Sequence, residues 1–337
     1  MGKNKSYLYL AVIIVLIVGL SGCTSRQQAE GAKLNSITIG VQPSTHQVAE
    51  MIAMDKGWWQ DTFSKYGITK TEDKLFPSGP PEMQAMLGGE LDIAYVGAAP
   101  AISAISKGLD AKIVAAVQIS GSALVLKPEL ADNYKGPKDL IGKKIATFPS
   151  GSIQDSVLKH WLKQNNIDPD KDLRIVAMGP GDAITAIEAG KIDGTFLPAP
   201  SPSKIELDKK GKMVELSGTM WPDHACCVIV VSGKLIREYP DMVKEIINTH
   251  IKATEYIYSD TDDAKKICAK KIKLSEEVID YSLEHWDGAW ITDPNEITDS
   301  VLSFAKVQYD LGYIEKMPKQ EDLFDMSFYN QIQSVPQ

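Results

Sequence analysis

Residues 86–94 decide the fold, and they read Met-Leu-Gly-Gly-Glu-Leu-Asp-Ile-Ala. A second stretch, residues 187–195, reads Ile-Glu-Ala-Gly-Lys-Ile-Asp-Gly-Thr and follows the same plan. In each stretch a helix ends at glycine, an acidic turn follows and a strand begins. The two stretches lie far apart in the chain. We therefore expect one architecture that is used twice, and not a short tandem repeat.

Strands and helices alternate on both sides of these stretches. Apolar runs rich in Val and Ile predict strands near 37–41, 91–96, 111–118, 143–148, 173–178 and 192–196. Helices are predicted near 46–56, 82–87, 101–107 and 153–164, and from a cap at Asp182 to 189. Such alternation predicts parallel sheets covered by helices, an α/β fold. A chain of 337 residues is long enough to form two lobes of this kind.

The overall composition is that of an ordinary globular protein. Apolar residues make up 44% of the chain and charged residues 24%, so disorder is not expected. The formal net charge is −8, and the lysines are scattered along the chain. This balance argues against nucleic acid as the main partner.

The N-terminus departs from this composition. Lys3 and Lys5 precede an uncharged apolar run, residues 7–20, and then small residues lead to Cys23. The run is shorter than the ~20 apolar residues of a spanning helix, so 1–22 is predicted to be a signal peptide. The residues just before Cys23 match the bacterial lipobox. We therefore expect a lipidated Cys23, a tether over 23–35, and attachment to the outer side of the cell membrane; an uncleaved anchor is the alternative.

Four phrases of the sequence resemble one known family. They are Ala53-Met54-Asp55-Lys56-Gly57-Trp58-Trp59, Phe76-Pro77-Ser78-Gly79-Pro80, residues 91–100 (Leu-Asp-Ile-Ala-Tyr-Val-Gly-Ala-Ala-Pro) and residues 139–146 (Asp-Leu-Ile-Gly-Lys-Lys-Ile-Ala). Their order resembles that of the nitrate, sulfonate and taurine solute-binding proteins of ABC importers. The group also holds the thiamine-precursor binders.

The resemblance implies a periplasmic-binding-protein-like type II fold, two α/β lobes joined by two crossing strands. Lobe one would comprise 36–118 plus 228–330, and lobe two 121–222, with crossings over 119–126 and 221–231. The implied function is non-enzymatic: a monomer that binds a small solute outside the cell and delivers it to an ABC permease and ATPase. A heteroaromatic binder, an enzyme on the same scaffold and a membrane-tethered sensor are the alternatives.

Three junctions between a strand and a helix carry small residues. They are Pro43-Ser44-Thr45, Gly97-Ala98-Ala99-Pro100 and Ser150-Gly151-Ser152. In an open parallel sheet ligands bind beyond the carboxyl ends of strands, where helix N-termini offer unpaired N–H groups. We therefore predict a small organic anion, a sulfonate first, held mainly by the N–H groups of 97–99 and 150–152. The simpler alternative is that all three junctions are ordinary caps and turns.

Other residues are weaker candidates for the ligand site. His46, Ser120, Pro198, Trp221 and His224 lie near the predicted cleft or the crossings. Family members often carry Trp or Glu beside a proline where this chain has 197–202, so that contact is in doubt here. Trp221 is able to cover an organic tail or to pack in the core.

The remaining cysteines are Cys226, Cys227 and Cys268. A disulfide from Cys268 to the adjacent pair and buried free thiols are both open. The run His224-Ala225-Cys226-Cys227 resembles a metal-binding motif, but the Val-Ile-Val-Val that follows favours a buried strand. We therefore expect no metal and no cofactor. Catalysis is not expected either, because no Ser-His-Asp order, paired acids or Walker-type loop occurs in the sequence.

Overall fold

The computed structural model describes residues 34–334. The predicted signal peptide, Cys23 and most of the predicted tether therefore lie outside the described residues. The strands are β1 (Ser36–Val41), β2 (Lys70–Leu75), β3 (Ile93–Gly97), β4 (Ala111–Ile119), β5 (Ser122–Leu126), β6 (Lys144–Thr147), β7 (Arg174–Ala177), β8 (Gly194–Pro198), β9 (Lys212–Leu216), β10 (Ala225–Ser232) and β11 (Ala289–Trp290).

The α-helices alternate with these strands as far as β10 and dominate the chain beyond it. They are α1 (Val48–Asp55), α2 (Trp58–Ser64), α3 (Gly79–Leu87), α4 (Ala98–Ser106), α5 (Pro128–Ala131), α6 (Ile153–Gln164), α7 (Pro180–Glu188), α8 (Ser201–Leu207), α9 (Ser217–Met220), α10 (Gly233–Glu238), α11 (Pro240–Ser259), α12 (Thr261–Ile272), α13 (Glu276–Glu284), α14 (Thr298–Asp310), α15 (Gln320–Leu323) and α16 (Ser327–Gln333). Short 3₁₀ turns cover Thr45–Gln47, Pro137–Leu140 and Pro294–Ile297.

The strands form two sheets. The first has the order β11-β4-β10-β3-β1-β2, and the second has the order β7-β6-β8-β5-β9. In the first sheet β1 runs parallel to β2 and β3, whereas β10 is antiparallel to β3 and β4. In the second sheet β6 runs parallel to β7 and β8, whereas β5 is antiparallel to β8 and β9. The predicted α/β class with two helix-covered sheets is confirmed.

The chain passes between the two sheets twice. It leaves the first sheet at Ile119 and enters the second at Ser122; it returns after β9 through α9 and begins β10 at Ala225. The Asp287 carboxylate holds both passages together. Its Oδ1 accepts from the N–H of Gly121 at 2.8 Å, and its Oδ2 accepts from the N–H of Gly218 at 2.5 Å.

Helix α6 shows how the local sequence sets an element next to the site. Its N-cap is Ser152, whose Oγ accepts from the N–H of Asp155 at 3.2 Å. One face of the helix, which includes Val157 and Leu158, is buried. The helix spans the predicted residues 153–164 because cap and apolar period agree.

Helix α7 corrects one prediction. Asp182 was expected to cap this helix, but the N-cap is Gly179 and the helix begins at Pro180. Proline at the first position has its φ preset for a helix and has no N–H to leave unpaired. Asp182 lies in the first turn, where its charge still complements the helix dipole. Among the residues 34–334, no helix is long and apolar enough to cross a bilayer.

Candidate functional site

A small cavity lies where the carboxyl ends of strands from both sheets meet. Its volume is about 20 Å³, room for about one water molecule. Gly97 and Pro198 are the last residues of β3 and β8, and Phe148 directly follows β6. The full lining is Gln42, Ser44, His46, Gln47, Gly79, Gly97, Phe148, Ser152, Ile153, Gln154, Pro198, Cys226 and Cys227. This is the position at which open parallel sheets bind ligands.

The structure brings together some of the sequence-predicted site residues around this cavity. Ser44, His46, Gly97, Ser152 and Pro198 line it. The lining also includes residues that sequence reasoning missed as ligand contacts, namely Gln42, Gln47, Gln154, Cys226 and Cys227. The glutamines were missed because each lies inside or beside a predicted helix or strand end, where polar residues are common.

The other predicted residues lie around the cavity rather than in its lining. Thr45 is buried, and its carbonyl accepts from the indole N–H of Trp290 at 3.0 Å. Ala98 and Ala99 are the buried first residues of α4. Ser150 and Gly151 line a separate surface pocket, and Ser120 is buried in the first passage between the sheets.

Trp221 and His224 belong to an aromatic cluster with Phe304. The Trp221 ring stacks on Phe304 with centroids 4.4 Å apart and lies 4.5 Å from the ring of His160. His224 is fully buried, and among residues 34–334 neither of its ring nitrogens has a hydrogen-bond partner. Burial lowers the pKa of His224 to about 3, so this ring is neutral at physiological pH.

Several backbone N–H groups in the three small-residue junctions are already paired. The N–H of Thr45 donates to the carbonyl of Ala199 at 3.2 Å. The N–H of Gly151 donates to Asp155 Oδ2 at 3.1 Å, and that of Ser152 to the carbonyl of Pro149 at 3.0 Å. The first N–H groups of α4 and α6 have no partner inside their helices. Of these, the N–H of Asp155 is capped by Ser152 Oγ and Pro100 has no N–H, which leaves Ala98, Ala99, Ile153 and Gln154 as the helix-start donors without an intrahelical partner.

The cavity lining is polar but carries no full positive charge, because it contains neither lysine nor arginine. Gln42 Nε2 donates to Glu82 Oε2 at 2.7 Å, and Glu82 is fully buried. Burial raises the pKa of Glu82 well above its usual range, so this carboxyl is held protonated and neutral. An anion in the cavity therefore depends on dipoles and N–H donors and not on a fixed cation.

His46 is buried against the cavity with both ring nitrogens engaged. Its Nε2 lies 2.8 Å from the carbonyl oxygen of Gly121, which only accepts, so Nε2 carries the proton. In the neutral ring Nδ1 then presents a lone pair, and Nδ1 lies 3.2 Å from Cys226 Sγ and 4.0 Å from Cys227 Sγ. The two sulfurs are 3.8 Å apart. Of the alternatives left open for the thiols, the structure has the free form at Cys226, Cys227 and Cys268.

A β-bulge brings the two adjacent sulfurs to the same ring. Strand side chains normally alternate between the two faces of a sheet, so neighbours point apart. Here Ala225 pairs with Ile119 and Cys227 pairs with the next residue, Gln118, which leaves Cys226 as an extra residue in β10. Bulges of this kind redirect a side chain.

Polar contacts between helices that flank different sheets lie at one edge of the site. The hydroxyl of Tyr313, beyond α14, donates to Asp155 Oδ2 at 2.6 Å, and Asp155 is a buried residue of α6. Lys159 Nζ lies 2.6 Å from the same hydroxyl and 3.0 Å from Asp155 Oδ1. Nearby, Gln308 Nε2 donates to the carbonyls of Ala99 at 2.8 Å and Gly151 at 3.3 Å. These contacts join helices that flank different sheets.

Known proteins share this fold, and relatives match this chain at about a quarter of the aligned positions. A protein of Bacillus subtilis (strain 168) that is named for aliphatic sulfonate binding is 27% identical over 320 residues, 95% of each chain. The taurine-binding periplasmic protein of Escherichia coli (strain K12) is 27% identical over 236 residues, 68% of this chain and 69% of its own. The crystal structure of the periplasmic nitrate-binding protein NrtA from Synechocystis PCC 6803 superposes with a TM-score of 0.76 at 16% identity and covers 90% of both chains.

A family model for the NMT1-like family matches residues 30–272, which include every strand of both sheets except β11. The match takes in all the residues that line the cavity. The resemblance read from the four sequence phrases is confirmed by these relatives. This chain belongs to the NMT1-like family.

Proposed function

We propose that this protein is the extracytoplasmic solute-binding component of an ABC importer and that it binds a small organic anion between its two sheets. A sulfonate is the leading candidate for this anion. The single observation that carries the proposal is the cavity at the carboxyl ends of β1, β3, β6 and β8, with α4 and α6 beginning at its edge. Helix N-termini favour anions through their free N–H groups and dipoles. The names of the sulfonate-binding and taurine-binding relatives support the same ligand class.

Solute capture requires the two parts of the molecule to move apart. The present cavity of about 20 Å³ has no room for a solute of several heavy atoms. We therefore propose two lobes, residues 36–118 plus 228–330 and residues 121–222, that open about the passages at Gly121 and Gly218. A solute that contacts both lobes stabilises the closed state through its higher affinity for that state.

The heteroaromatic alternative has less support. It relies on Trp221 as a stacking platform, but Trp221 is stacked on Phe304 and is not in the cavity lining. An enzyme on this scaffold has less support as well, since the buried His224 packs among aromatic rings. We propose a monomeric binding protein that delivers its solute to permease and ATPase subunits.

Membrane attachment through Cys23 is part of the proposal. In this reading residues 1–22 are removed, the Cys23 thiol carries lipid and residues 34–334 face outward. A Cys23→Ser variant should be processed abnormally or released from membranes, which fractionation and mass spectrometry of the N-terminus measure. Full membrane retention of the variant with an intact N-terminus would instead identify residues 7–20 as a plain anchor.

The ligand class is tested by titration calorimetry after a thermal-shift screen of taurine, alkanesulfonates and nitrate. Gly97→Ala is the informative variant, because its added Cβ would lie 2.9 Å from Cγ1 of Ile153 and so block closure of α6 onto β3. Gly88→Ala is the matched control, since its Cβ would meet only ordinary contacts of 3.4 Å or more. We expect Gly97→Ala to lose binding and Gly88→Ala to keep it. Binding of none of these anions would refute the proposed ligand class.

A further inference from the structure

The cluster of His46, Cys226 and Cys227 has the form of a metal site that the expected function does not require. All three residues are buried, and one ligand atom from each lies within 4.8 Å of the others. We propose that this cluster binds one zinc ion, with His46 Nδ1 and the two cysteine sulfurs as ligands. This differs from the expectation of no metal, and also from the motif read in the sequence, in which His224 was the neighbouring histidine.

The sulfur–sulfur distance matches tetrahedral zinc, and the two sulfur–nitrogen distances lie about 0.4 Å below and above the ideal value. Bonds of about 2.3 Å to sulfur and about 2.0–2.1 Å to nitrogen place two sulfurs about 3.8 Å apart and each sulfur about 3.6 Å from the nitrogen. The observed separations are 3.8 Å between the sulfurs, and 3.2 and 4.0 Å from sulfur to Nδ1. A linear two-sulfur site would need the sulfurs about 4.6 Å apart at the same bond length. The pair is therefore spaced for a tetrahedral ion.

The imidazole is already held in the form that a metal needs. The Nε2–H of His46 donates to the Gly121 carbonyl, so in the neutral ring the lone pair of Nδ1 is free. Ligating histidines are usually fixed in this way, by a carbonyl or carboxylate on the other nitrogen. Gly121 has φ +82, and a Cβ there would lie 2.8 Å from Nε2, so glycine permits this close approach.

The donor set selects zinc by its chemistry. Two thiolates and an imidazole suit Zn²⁺, whereas Mg²⁺ and Ca²⁺ prefer oxygen ligands. Both cysteines and His46 line the cavity, so the fourth coordination position faces its open volume. Zinc displaces the thiol protons to solvent as the two Zn–S bonds form, and two thiolates neutralise the charge of the ion.

The test uses the full chain, purified in detergent and stripped of metal with a chelator. Zinc affinity is measured by competition with a chromophoric chelator, and Co²⁺ is added separately to look for thiolate-to-cobalt charge-transfer absorption. The variants are Cys226→Ser, Cys227→Ser and His46→Gln. Cys268→Ser is the matched control, because Cys268 is also buried and free but lies on α12, outside the cluster.

We expect one zinc per chain in the wild type and in Cys268→Ser, and affinity at least about 100-fold weaker in each cluster variant. Zinc should also raise the Tm of the wild type and leave that of the Cys226→Ser/Cys227→Ser double variant unchanged. The Tm of each metal-free variant shows whether it still folds. The proposal is overturned if wild type and folded cluster variants bind zinc equally, or if Co²⁺ gives no thiolate band. It does not depend on the importer role, so either proposal can fail alone.

Discussion

The hydroxyl of Tyr313 makes a contact that tests closure of the proposed lobes most directly. It donates to the carboxylate of Asp155 at 2.6 Å across the rim, and Tyr313→Phe removes this single atom. A hydrogen bond to a charged group contributes about 1.5–3 kcal/mol. Lys159 stays paired with Asp155 at 3.0 Å in the variant, so the carboxylate keeps a partner. The low end of the range, about 1.5 kcal/mol, is therefore expected.

If this bond exists only in the closed state, Tyr313→Phe should weaken solute binding by about tenfold. The assay is titration calorimetry with the sulfonate that binds best in the thermal-shift screen, combined with small-angle scattering of the unliganded protein, which should expand. Tyr309→Phe is the matched control, because the same hydroxyl is lost from an exposed side chain of α14. Equal affinities for the two variants would refute the idea that Asp155 and Tyr313 stabilise closure.

Three further predictions concern buried polar groups and one strained turn. Burial raises the pKa of Glu50 from 4.5 to about 8, so the stabilising effect of its protonated form is full below pH 4.5 and is lost as the pH rises to about 8. Glu50→Gln should therefore be more stable than the wild type by about 3 kcal/mol at pH 7 and by much less at pH 5. Urea unfolding that shows the same difference at both pH values would contradict this. Burial lowers the pKa of His250 from 6.5 to about 4, so the stability of the wild type should fall as the pH drops from 6.5 to 4. The Tm of His250→Gln should fall less over the same pH range. An equal fall in Tm for the variant and the wild type would contradict this. Gly121→Ala should lower the free energy of unfolding more than Gly142→Ala. Both glycines have positive φ, but a Cβ at Gly121 would lie 2.5 Å from Gln118 Nε2 and 2.8 Å from His46 Nε2, whereas a Cβ at Gly142 meets no described atom within 4 Å. Equal losses in chemical denaturation would contradict a destabilising effect of these contacts.

Local patterns were enough to predict the elements that position the site. Helix α6 was predictable because Ser152 caps a run with a clear apolar period, and β10 because Val228–Val231 is a β-branched run. The start of α7 was predicted wrongly because aspartate is a strong N-cap signal at Asp182, whereas Gly179-Pro180 just before it begins the helix. In each case the information lies within a few residues, which is the range over which caps and periods act.

The thiol cluster could not be predicted, because two long-range features create it. Cys226 lies 180 residues from His46 in the chain, and only the pairing of β10 in the first sheet brings them together. The bulge that aims both sulfurs at the ring depends on the register with β4, which no local motif encodes. The sequence also indicated a turn over Ser150–Ser152, but it did not show that Asp155 and Pro149, a few residues away, accept the N–H groups of Gly151 and Ser152.

The place of β10 in the first sheet has a consequence for biogenesis. This strand lies between β3 and β4, so those two strands do not pair with each other directly. Until residues up to Ser232 have emerged, a nascent chain has β1, β2 and β3 on one side of a gap and β4 on the other. Closing that gap depends on contacts between distant parts of the chain, which form slowly. The first sheet is therefore completed only after β10 has been synthesised, later than the second sheet, whose strands β5 to β9 follow one another in the chain.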